Sequence, residues 1–352
     1  YQILLLDKIP DSAAVNAAVE QTKRYVNIKA AGMANGALRA LARRKDELQM
    51  PQDLATRCSY PQALVELLAD SLGEDQIEAF LKAGNEPVPT CLQVNPLLAD
   101  AQEVEDAFLA QGISFEKHPW LGGCYLVRGT GELSKLDLFE TGKVYVQDPS
   151  AKLAAQAAGV RAGMRVLDTC AAPGGKSFAA AMAMDNTGSI TSCDIHAHKL
   201  QLIEKGAQRL GISIIGARQA DASKFYEEFE NGFDVVIADV PCSGLGVIRK
   251  KPDIRYKELA PLEHLPAVQA AILENVSRYV KPGGALVYST CTVLKRENED
   301  VVQAFLTLHE DFSCEPFRTP ERFQTGNNGM LTLLPQRDAA DGFFICKLRK
   351  NV

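Results

Sequence analysis

Two cysteines each follow an apolar run that predicts a buried β-strand. Cys242 comes shortly after the run at residues 233–239, and Cys291 ends the run that begins at Gly284. In an open α/β sheet, ligands bind outside the carboxyl ends of the strands, so we expect both thiols in one crevice. Two thiols in one cleft indicate covalent chemistry, in which one attacks the substrate and the other assists.

The pattern along the chain predicts three regions. Residues 1–82 are helical in pattern, with a helix start at Asp11 and Ser12 and stops near Gly32 and Gly73. Residues 83–145 predict a small α+β unit with strands near 90–94, 113–115 and 124–127 and a helix near 101–111. From residue 146 to 352, strands and helices alternate, which is typical of a parallel sheet.

In that last region the expected strands are 165–168, 189–194, 213–218, 233–239, 284–290 and 343–348, and the expected helices are 175–185, 197–210, 264–280 and 296–309.

The composition favours a multidomain globular protein with neither a membrane-spanning helix nor a metal site. The chain has 352 residues, 46% of them hydrophobic, which suffices for two or three domains. No apolar run of about 18 residues occurs, so neither a membrane-spanning helix nor a membrane partner is expected. The nine cysteines show no CxxC pair and no zinc-ligand spacing, so we expect no metal and a reducing cytoplasm. Because the chain begins with Tyr1, we expect that it lacks its true N-terminus. We also expect the protein to be a monomer.

A glycine-containing turn follows the first strand of the alternating region. The run from Arg165 to Ser177 predicts a strand, a tight turn and a helix start. Gly174 and Gly175 would let the backbone approach a ligand closely. A phosphate-binding P-loop would need glycine at Cys170, and the dinucleotide motif GxGxxG is absent. The third interpretation is S-adenosylmethionine, which has no phosphate and needs only close backbone approach and polar anchors.

Acidic residues follow successive predicted strands and could supply those anchors. Asp194 lies about 20 residues past the glycines, where an acid can accept hydrogen bonds from ribose hydroxyls. Asp221 could lie near the adenine. A single strand-end aspartate is more often a helix cap, but four in succession favour a ligand crevice: Asp168, Asp194, Asp221 and Asp239.

The net charge of −6 argues against a wholly basic nucleic-acid binder, but basic residues are unevenly distributed. Residues 21–45 contain seven basic residues and no acid; a solvated helix face explains them equally well. Residues 249–257 carry five basic residues and one acid directly after the Cys242 loop, as a phosphate-binding surface would. The predicted RNA contacts are Arg249, Lys250, Lys251 and Arg255, with Tyr256 as a stacking ring.

These motifs together resemble the bacterial ribosomal RNA cytosine-5 methyltransferases of the RsmB (Fmu/Sun) type, which are related to the NOL/NOP/Sun group. The resemblance covers residues 146–352 and rests on motifs that occur in family order: Val146-Gln-Asp-Pro-Ser, Asp168-Thr-Cys-Ala-Ala-Pro-Gly-Gly-Lys, Asp239-Val-Pro-Cys-Ser-Gly-Leu-Gly, Lys250-Lys-Pro-Asp-Ile-Arg, Tyr288-Ser-Thr-Cys-Thr with Glu297-Asn-Glu, and Asp341-Gly-Phe-Phe. Residues Val293-Leu-Lys-Arg stand where relatives commonly carry Pro-Glu, which affects a helix start more than the chemistry.

The resemblance implies a Rossmann-like methyltransferase domain at 146–352 with S-adenosylmethionine as the methyl donor. It also implies a NusB-like helical RNA-binding domain at 1–82, N-terminally truncated, and an RRM-like subdomain at 83–145. The implied partner is ribosomal RNA, presented as an unpaired or flipped-out cytosine. The implied cofactor site comprises Cys170, Ala171, Ala172, Pro173, Gly174, Gly175, Lys176, Asp194, Asp221 and Asp239.

The family match also assigns the two thiols. Cytosine C5 is a poor nucleophile, and a thiolate that adds at C6 makes it nucleophilic. Cys291 is the implied nucleophile and Cys242 the implied aid to product release, with Asp239 beside the base and Lys176 as electrostatic support. In relatives that use one cysteine, the attacking thiol is the one in the Pro-Cys loop, so the roles of Cys242 and Cys291 could be reversed. Two alternative functions also stay open: methylation of tRNA, and a non-catalytic RNA-binding assembly factor with a vestigial methyltransferase fold.

Overall fold

The computed structural model describes residues 1–49, 51–323 and 328–352. They divide into two compact units, Tyr1–Ser59 and Tyr60–Val352. The first unit is helical and consists of α1 Gln2–Leu5, α2 Asp11–Tyr25, α3 Ile28–Arg44 and α4 Leu54–Cys58. Its small core joins Ile3, Ala14 and Val15 to Leu38 and Leu41, so α2 and α3 pack against each other.

The predicted helix stop near Gly32 is wrong, because α3 runs through it. The side chain of Asn27 caps this helix and accepts a hydrogen bond from the Ala30 N–H at 2.8 Å. A glycine in a helix costs about 1 kcal/mol relative to alanine, but the helix continues through Gly32, and the neighbouring Ala31 is buried. The start at Asp11 and the stop at Gly73, where φ is +87°, are confirmed.

The second unit opens with α5 Gln62–Leu72 and α6 Glu74–Ala83. An antiparallel sheet follows, built in the order β2-β3-β1-β4. Its strands are β1 Thr90–Val94, β2 Ser114–Lys117, β3 Cys124–Arg128 and β4 Val144–Val146. Helix α7 Ala101–Ala110 packs on this sheet through Val104 and Phe108, and α8 Asp137–Glu140 precedes β4. The sequence pattern did not predict β4, which has three residues.

The remaining strands form a larger sheet in the order β10-β12-β9-β8-β5-β6-β7, with β11 paired to β12. The strands are β5 Arg165–Asp168, β6 Ser189–Asp194, β7 Ile215–Gln219, β8 Phe233–Asp239, β9 Val280–Thr290, β10 Phe312–Cys314, β11 Met330–Leu333 and β12 Phe343–Lys350. The helices are α9 Pro149–Ala157, α10 Gly175–Ala183, α11 Ala197–Arg209, α12 Leu265–Ser277, α13 Glu299–Leu308 and α14 Pro335–Asp338.

The centre of this sheet is parallel and β12 is antiparallel to β9. Apolar clusters cover both faces, which explains why the central strands are continuous apolar runs. The carboxyl ends of β5, β6, β8 and β9 consequently share one edge. The expected Rossmann-like fold with a helical segment and a small α+β subdomain is confirmed, whereas the domain boundaries at 82/83 and 145/146 stay predictions. Among the residues described above, we find no helix with the length and apolar character needed to cross a bilayer.

Candidate active site

The loop that follows β5 is shaped by a glycine. Gly174 has φ +113°, and a Cβ there would lie 2.3 Å from the Phe178 ring, so a larger residue would force the loop open. Beneath the loop, buried Asp168 accepts a hydrogen bond from the Ser177 hydroxyl at 2.7 Å. Burial raises the pKa of Asp168 to about 6. This carboxyl therefore supports the loop from below.

A cavity of about 420 Å³ lies at the strand ends beside this loop. Asp194, Asp221 and Asp239 border it, and Val268 and Ile272 of α12 form an apolar wall. Asp194 accepts from the His196 N–H at 2.9 Å, and Asp221 accepts from the Ser223 N–H at 3.0 Å. Each acid thus fixes the turn after its own strand while it borders the cavity. Thr169, Cys170 and Ala172 complete the side formed by the loop.

A second cavity of about 190 Å³ adjoins the first and shares Cys170, Ala172 and Asp239 with it. Its other lining includes the remaining loop residues Ala171, Pro173, Gly175 and Lys176, together with Gln147 and Asp168. The residues predicted to bind a cofactor are therefore divided between two neighbouring cavities. Gly174 itself lines neither cavity and acts through its backbone conformation.

The two predicted thiols lie in contact. Asp239 of β8 and Ser289 of β9 are paired in the parallel register, so the turns after both strands emerge side by side. The Sγ atoms of Cys242 and Cys291 are 3.2 Å apart, and both side chains are half-buried. A hydrogen bond between these sulfurs lowers the pKa of Cys291 and raises that of Cys242. Either sulfur could donate in this contact, and the pKa directions favour Cys291 as the more thiolate-like of the two.

Lys176 supplies positive charge beside the thiols. Its ammonium donates to Asp239 Oδ2 at 2.6 Å, and the other Asp239 oxygen accepts from the Ser289 hydroxyl at 2.7 Å. Burial opposes the charge on Lys176, but Asp239 raises the pKa of the ammonium above its ordinary value. Lys176 also lowers the pKa of Cys291, against burial and the negative charge of Asp239.

Glu297 is a buried acidic residue within the Glu297-Asn-Glu motif, and the sequence pattern predicted no role for it. Its Oε2 accepts from the Ser243 N–H at 2.9 Å and from the Gln269 amide at 2.8 Å. The residue is 0% exposed. Together with the hydrogen bond to Cys291 and burial, its charge raises the pKa of Cys242. Glu297 therefore holds the Cys242 loop and favours a protonated Cys242.

The four basic residues predicted to contact RNA do not form one exposed stripe. Lys250 lies against Asp148 and Asp341, and Arg249 lies 3.5 Å from Asp341. Arg255 is 9% exposed, donates to the Gly84 carbonyl at 2.7 Å and stacks on Tyr60. Lys251 is exposed, and its side chain forms no hydrogen bond or ion pair with the other residues that the structure describes. Its charge still contributes to lowering the pKa of Cys291.

Three other cysteines are distinguished by their burial. Burial raises the pKa of Cys170 to about 12, as it does for Cys91 and Cys193, so these thiols behave as small apolar side chains. In the part of the chain that the structure describes, no group of His, Cys, Asp or Glu is arranged to hold a metal ion.

Comparison with known families identifies each part of the chain. The family "16S rRNA methyltransferase RsmB/F" matches residues 156–349, the NusB family matches residues 1–43, and the RsmF/B-like ferredoxin-like domain matches residues 60–130. The probable ribosomal RNA small subunit methyltransferase B of Bacillus subtilis is 41% identical and is aligned over 100% of this chain and 81% of its own length.

Solved structures agree with this match. The crystal structure of PH0851 is similar with a TM-score of 0.83 at 26% identity, over 98% of this chain and 79% of that one. NSun6 from Pyrococcus horikoshii, solved with SFG, has a TM-score of 0.73 at 21% identity, over 82% of this chain and 98% of that one, which supports the fold. The matches extend over the helical, ferredoxin-like and methyltransferase regions in one order. The chain therefore belongs to the RsmB/F family of 16S rRNA methyltransferases.

Proposed function

We propose that this chain transfers a methyl group from S-adenosylmethionine to C5 of an unpaired or flipped-out cytosine in 16S rRNA, through a covalent bond between Cys291 and C6. The observation that carries the proposal is the 3.2 Å contact of Cys242 and Cys291 after neighbouring strands, next to the ion pair of Lys176 and Asp239. Cys314 and Cys346 also lie in sulfur–sulfur contact, at 4.0 Å, with opposite pKa directions. The pair of Cys242 and Cys291 differs because Lys176 and Asp239, which line the smaller cavity, act on Cys291.

Cys291 is the proposed nucleophile. Its pKa is lowered by the hydrogen bond from Cys242 and by Lys176, so its thiolate forms more readily than that of an ordinary cysteine. The thiolate adds to C6 of the ring, and the electron pair of the C5–C6 bond becomes available at C5. An attack from Cys242 would instead require removal of a proton from the thiol whose pKa is raised.

The larger cavity fits S-adenosylmethionine in size and chemistry. Its volume of about 420 Å³ lies in the range of small-molecule sites. The Asp194 and Asp221 carboxylates would accept from the ribose and adenine, and Val268 would pack on the adenine. The glycine turn allows close backbone approach. When bound, the cofactor would supply an electrophilic methyl group on a sulfonium, to which C5 of the activated ring adds.

Asp239 and Lys176 are the proposed electrostatic partners of the base. Asp239 borders both cavities, so its carboxylate can accept from the exocyclic amine of cytosine while it remains paired with Lys176. The ammonium of Lys176 stabilises the Cys291 thiolate before attack and again as the leaving group. This pair is held in place by Ser289, which limits the reorganisation needed during the reaction.

Cys242 is the proposed aid to product release. After methyl transfer a solvent water molecule accepts the C5 proton, and the electron pair of the C5–H bond re-forms the C5–C6 double bond. The S–C6 bond breaks at the same time, and its electron pair returns to Cys291. The Cys242 thiol then donates a hydrogen bond to the departing thiolate and stabilises it. Without Cys242 the covalent bond should persist.

The RNA contact nearest the site is assigned to Lys251, with Tyr256 as a stacking ring. Lys251 is exposed and lies close enough to act on Cys291, and the Tyr256 ring is 73% exposed. Arg249, Lys250 and Arg255 have partners within the chain. A phosphate contact at Lys251 would place the nucleotide chain at the mouth of the thiol cleft.

The decisive experiment incubates each alanine variant with 16S rRNA and S-adenosylmethionine and analyses the products on a denaturing gel. Cys291→Ala should neither methylate nor form an adduct, whereas Cys242→Ala should accumulate a covalent protein–RNA adduct. Bisulfite sequencing of the RNA would locate the modified cytosine. An adduct formed by Cys291→Ala alone would reverse the two roles. Failure of the unmodified protein to bind S-adenosylmethionine by calorimetry would favour a vestigial methyltransferase fold.

A further inference from the structure

Lys250 lies between two acidic side chains from distant parts of the sequence. Its ammonium donates to Asp341 Oδ2 at 2.7 Å and is also hydrogen-bonded to Asp148. The side chain of Asp341 is 4% exposed and that of Asp148 is 12% exposed. Two largely buried carboxylates need a nearby cation, since an unpaired buried charge is costly. We call these three residues the Lys250 clamp.

Each residue of the Lys250 clamp belongs to a segment that reaches the proposed active site. Asp148 follows Gln147, which lines the smaller cavity together with Lys176 and Asp239. Lys250 ends the loop that carries Cys242. Asp341 and Gly342 directly precede β12. The clamp therefore ties together three chain segments around the two thiols.

Backbone contacts next to the clamp connect it directly to Cys291. The Gly342 N–H donates to the Gly246 carbonyl at 2.9 Å, and the Gly246 N–H donates to the Cys291 carbonyl at 3.0 Å. A Cβ at Gly246 would lie 1.9 Å from the Gly342 carbonyl oxygen, so only glycine allows this approach. The loop after β8 is thus attached to Cys291 on one side and to the clamp on the other.

We propose that Lys250, together with Asp148 and Asp341, is a positioning residue that holds the Cys242 loop so that Cys242 stays within hydrogen-bonding distance of Cys291. This inference rests on the proposed function, because it concerns the same thiol pair. Lys250 touches neither thiol. It acts through the loop, and its removal would leave Asp148 and Asp341 facing each other with the more distant Arg249, 3.5 Å from Asp341, as the remaining cation of the cluster.

The test measures the titration of Cys291 directly and needs neither RNA nor cofactor. The rate of Cys291 alkylation by iodoacetamide, followed by mass spectrometry across a pH series, reports its thiolate fraction. In Lys250→Met the midpoint should move to higher pH, because the hydrogen bond from Cys242 is lost. Lys250→Arg should restore most of the original midpoint. Lys135→Met, which removes an exposed lysine elsewhere, is the matched control and should leave the titration unchanged.

Steady-state kinetics with 16S rRNA give the second readout. Lys250→Met should lower kcat by about 10- to 100-fold, because small displacements of reacting groups have effects of that size, with little change in KM for RNA. If Lys250 instead contacted RNA, Lys250→Met would lower the affinity for RNA. The slope of log affinity against log salt concentration would become shallower by about one, because one fewer counterion would be released. A flattened salt slope with an unchanged Cys291 titration would overturn the proposal.

Asp341→Asn covers the case in which Lys250→Met fails to fold. This variant keeps the contact between Lys250 and Asp148, so the Cys291 midpoint should shift in the same direction by a smaller amount. An unchanged midpoint in folded Asp341→Asn would also overturn the clamp. Alkylation of Cys291 does not require methyl transfer, so the two hypotheses are tested separately. If the unmodified protein does not methylate cytosine, that result counts against the proposed reaction and not against the positioning role of Lys250.

Discussion

Cys242 and Cys291 are 49 positions apart in the sequence, and their sulfurs are 3.2 Å apart. The contact arises because β8 and β9 are neighbouring parallel strands whose residues Asp239 and Ser289 are paired. Cys242 lies three residues after Asp239 and Cys291 lies two residues after Ser289, so the sheet register brings the thiols together. The hydrogen bond between the sulfurs is the largest cause of their opposite pKa directions. Lys176 adds to the lowering of the pKa of Cys291, and Glu297 adds to the raising of the pKa of Cys242.

Cys242→Ala should raise the pKa of Cys291. The hydrogen bond with Cys242 is the largest cause of the lowered pKa of Cys291. When this bond is removed, burial and the charge of Asp239, which both raise the pKa, are no longer opposed by it. Alkylation of Cys291 in the isolated protein should therefore need a higher pH than in the unmodified protein. Cys193→Ala is a suitable control, since that thiol is buried outside the cleft. A midpoint that stays in place, or falls, would contradict the assigned donor.

Lys176→Met should lower methyl transfer by about 100-fold or more, since it removes a charge that stabilises the attacking thiolate. It should also destabilise the fold by about 1–3 kcal/mol, less than a fully buried pair because Asp239 is 29% exposed. Urea unfolding and tritium transfer to 16S rRNA measure the two effects. The double variant Lys176→Met with Asp239→Asn should regain stability but not activity. Recovery of both would assign the pair a purely structural role.

Gly174→Ala should weaken S-adenosylmethionine binding by about tenfold or more, equivalent to at least about 1.4 kcal/mol. The backbone at φ +113° and the Phe178 ring both oppose a Cβ, so the loop beside the cavity must shift. Calorimetry on the folded variant gives the affinity. Gly216→Ala is the matched control, because a Cβ there meets no atom within 4 Å. Equal losses in both variants would show that the loop geometry is not the cause.

The central parallel strands were predictable from the sequence. The predicted bounds of β5, β6 and β8 agree with the structure, because continuous apolar runs between polar turns are diagnostic of buried strands. Strand β9 begins at Val280, four residues before the predicted start at 284, since Pro282 and two glycines read as a turn. The stop near Gly32 failed because tertiary packing overrides helix propensity.

The surroundings of the basic residues were not predictable in the same way. Lys250 is 102 positions from Asp148 and 91 from Asp341, and no local pattern pairs residues at such separations. Acidic partners neutralise a basic run only once the fold brings them close. The contacts of Glu297 were also not predictable from the sequence, although the residue belongs to a recognisable motif. Its hydrogen bonds to Ser243 and Gln269 depend on the packing of α12 against the Cys242 loop.

Asp341→Asn should change how stability depends on pH. Burial raises the pKa of Asp341 to about 7, with Asp148 acting in the same direction. The folded state therefore holds this proton more tightly than the unfolded state, whose value is near 3.8. By linkage, this group lowers the free energy of unfolding as pH rises from about 4 to about 7.

The asparagine variant lacks that titration, so its stability relative to the unmodified protein should improve steadily across the same range. Urea unfolding at a series of pH values between 4.5 and 8 measures the difference. Asp253→Asn, which replaces an exposed aspartate in the neighbouring loop, should run parallel to the unmodified protein throughout. Parallel curves for Asp341→Asn as well would mean that Lys250 neutralises both carboxylates fully, and that no proton is taken up at the clamp in this range.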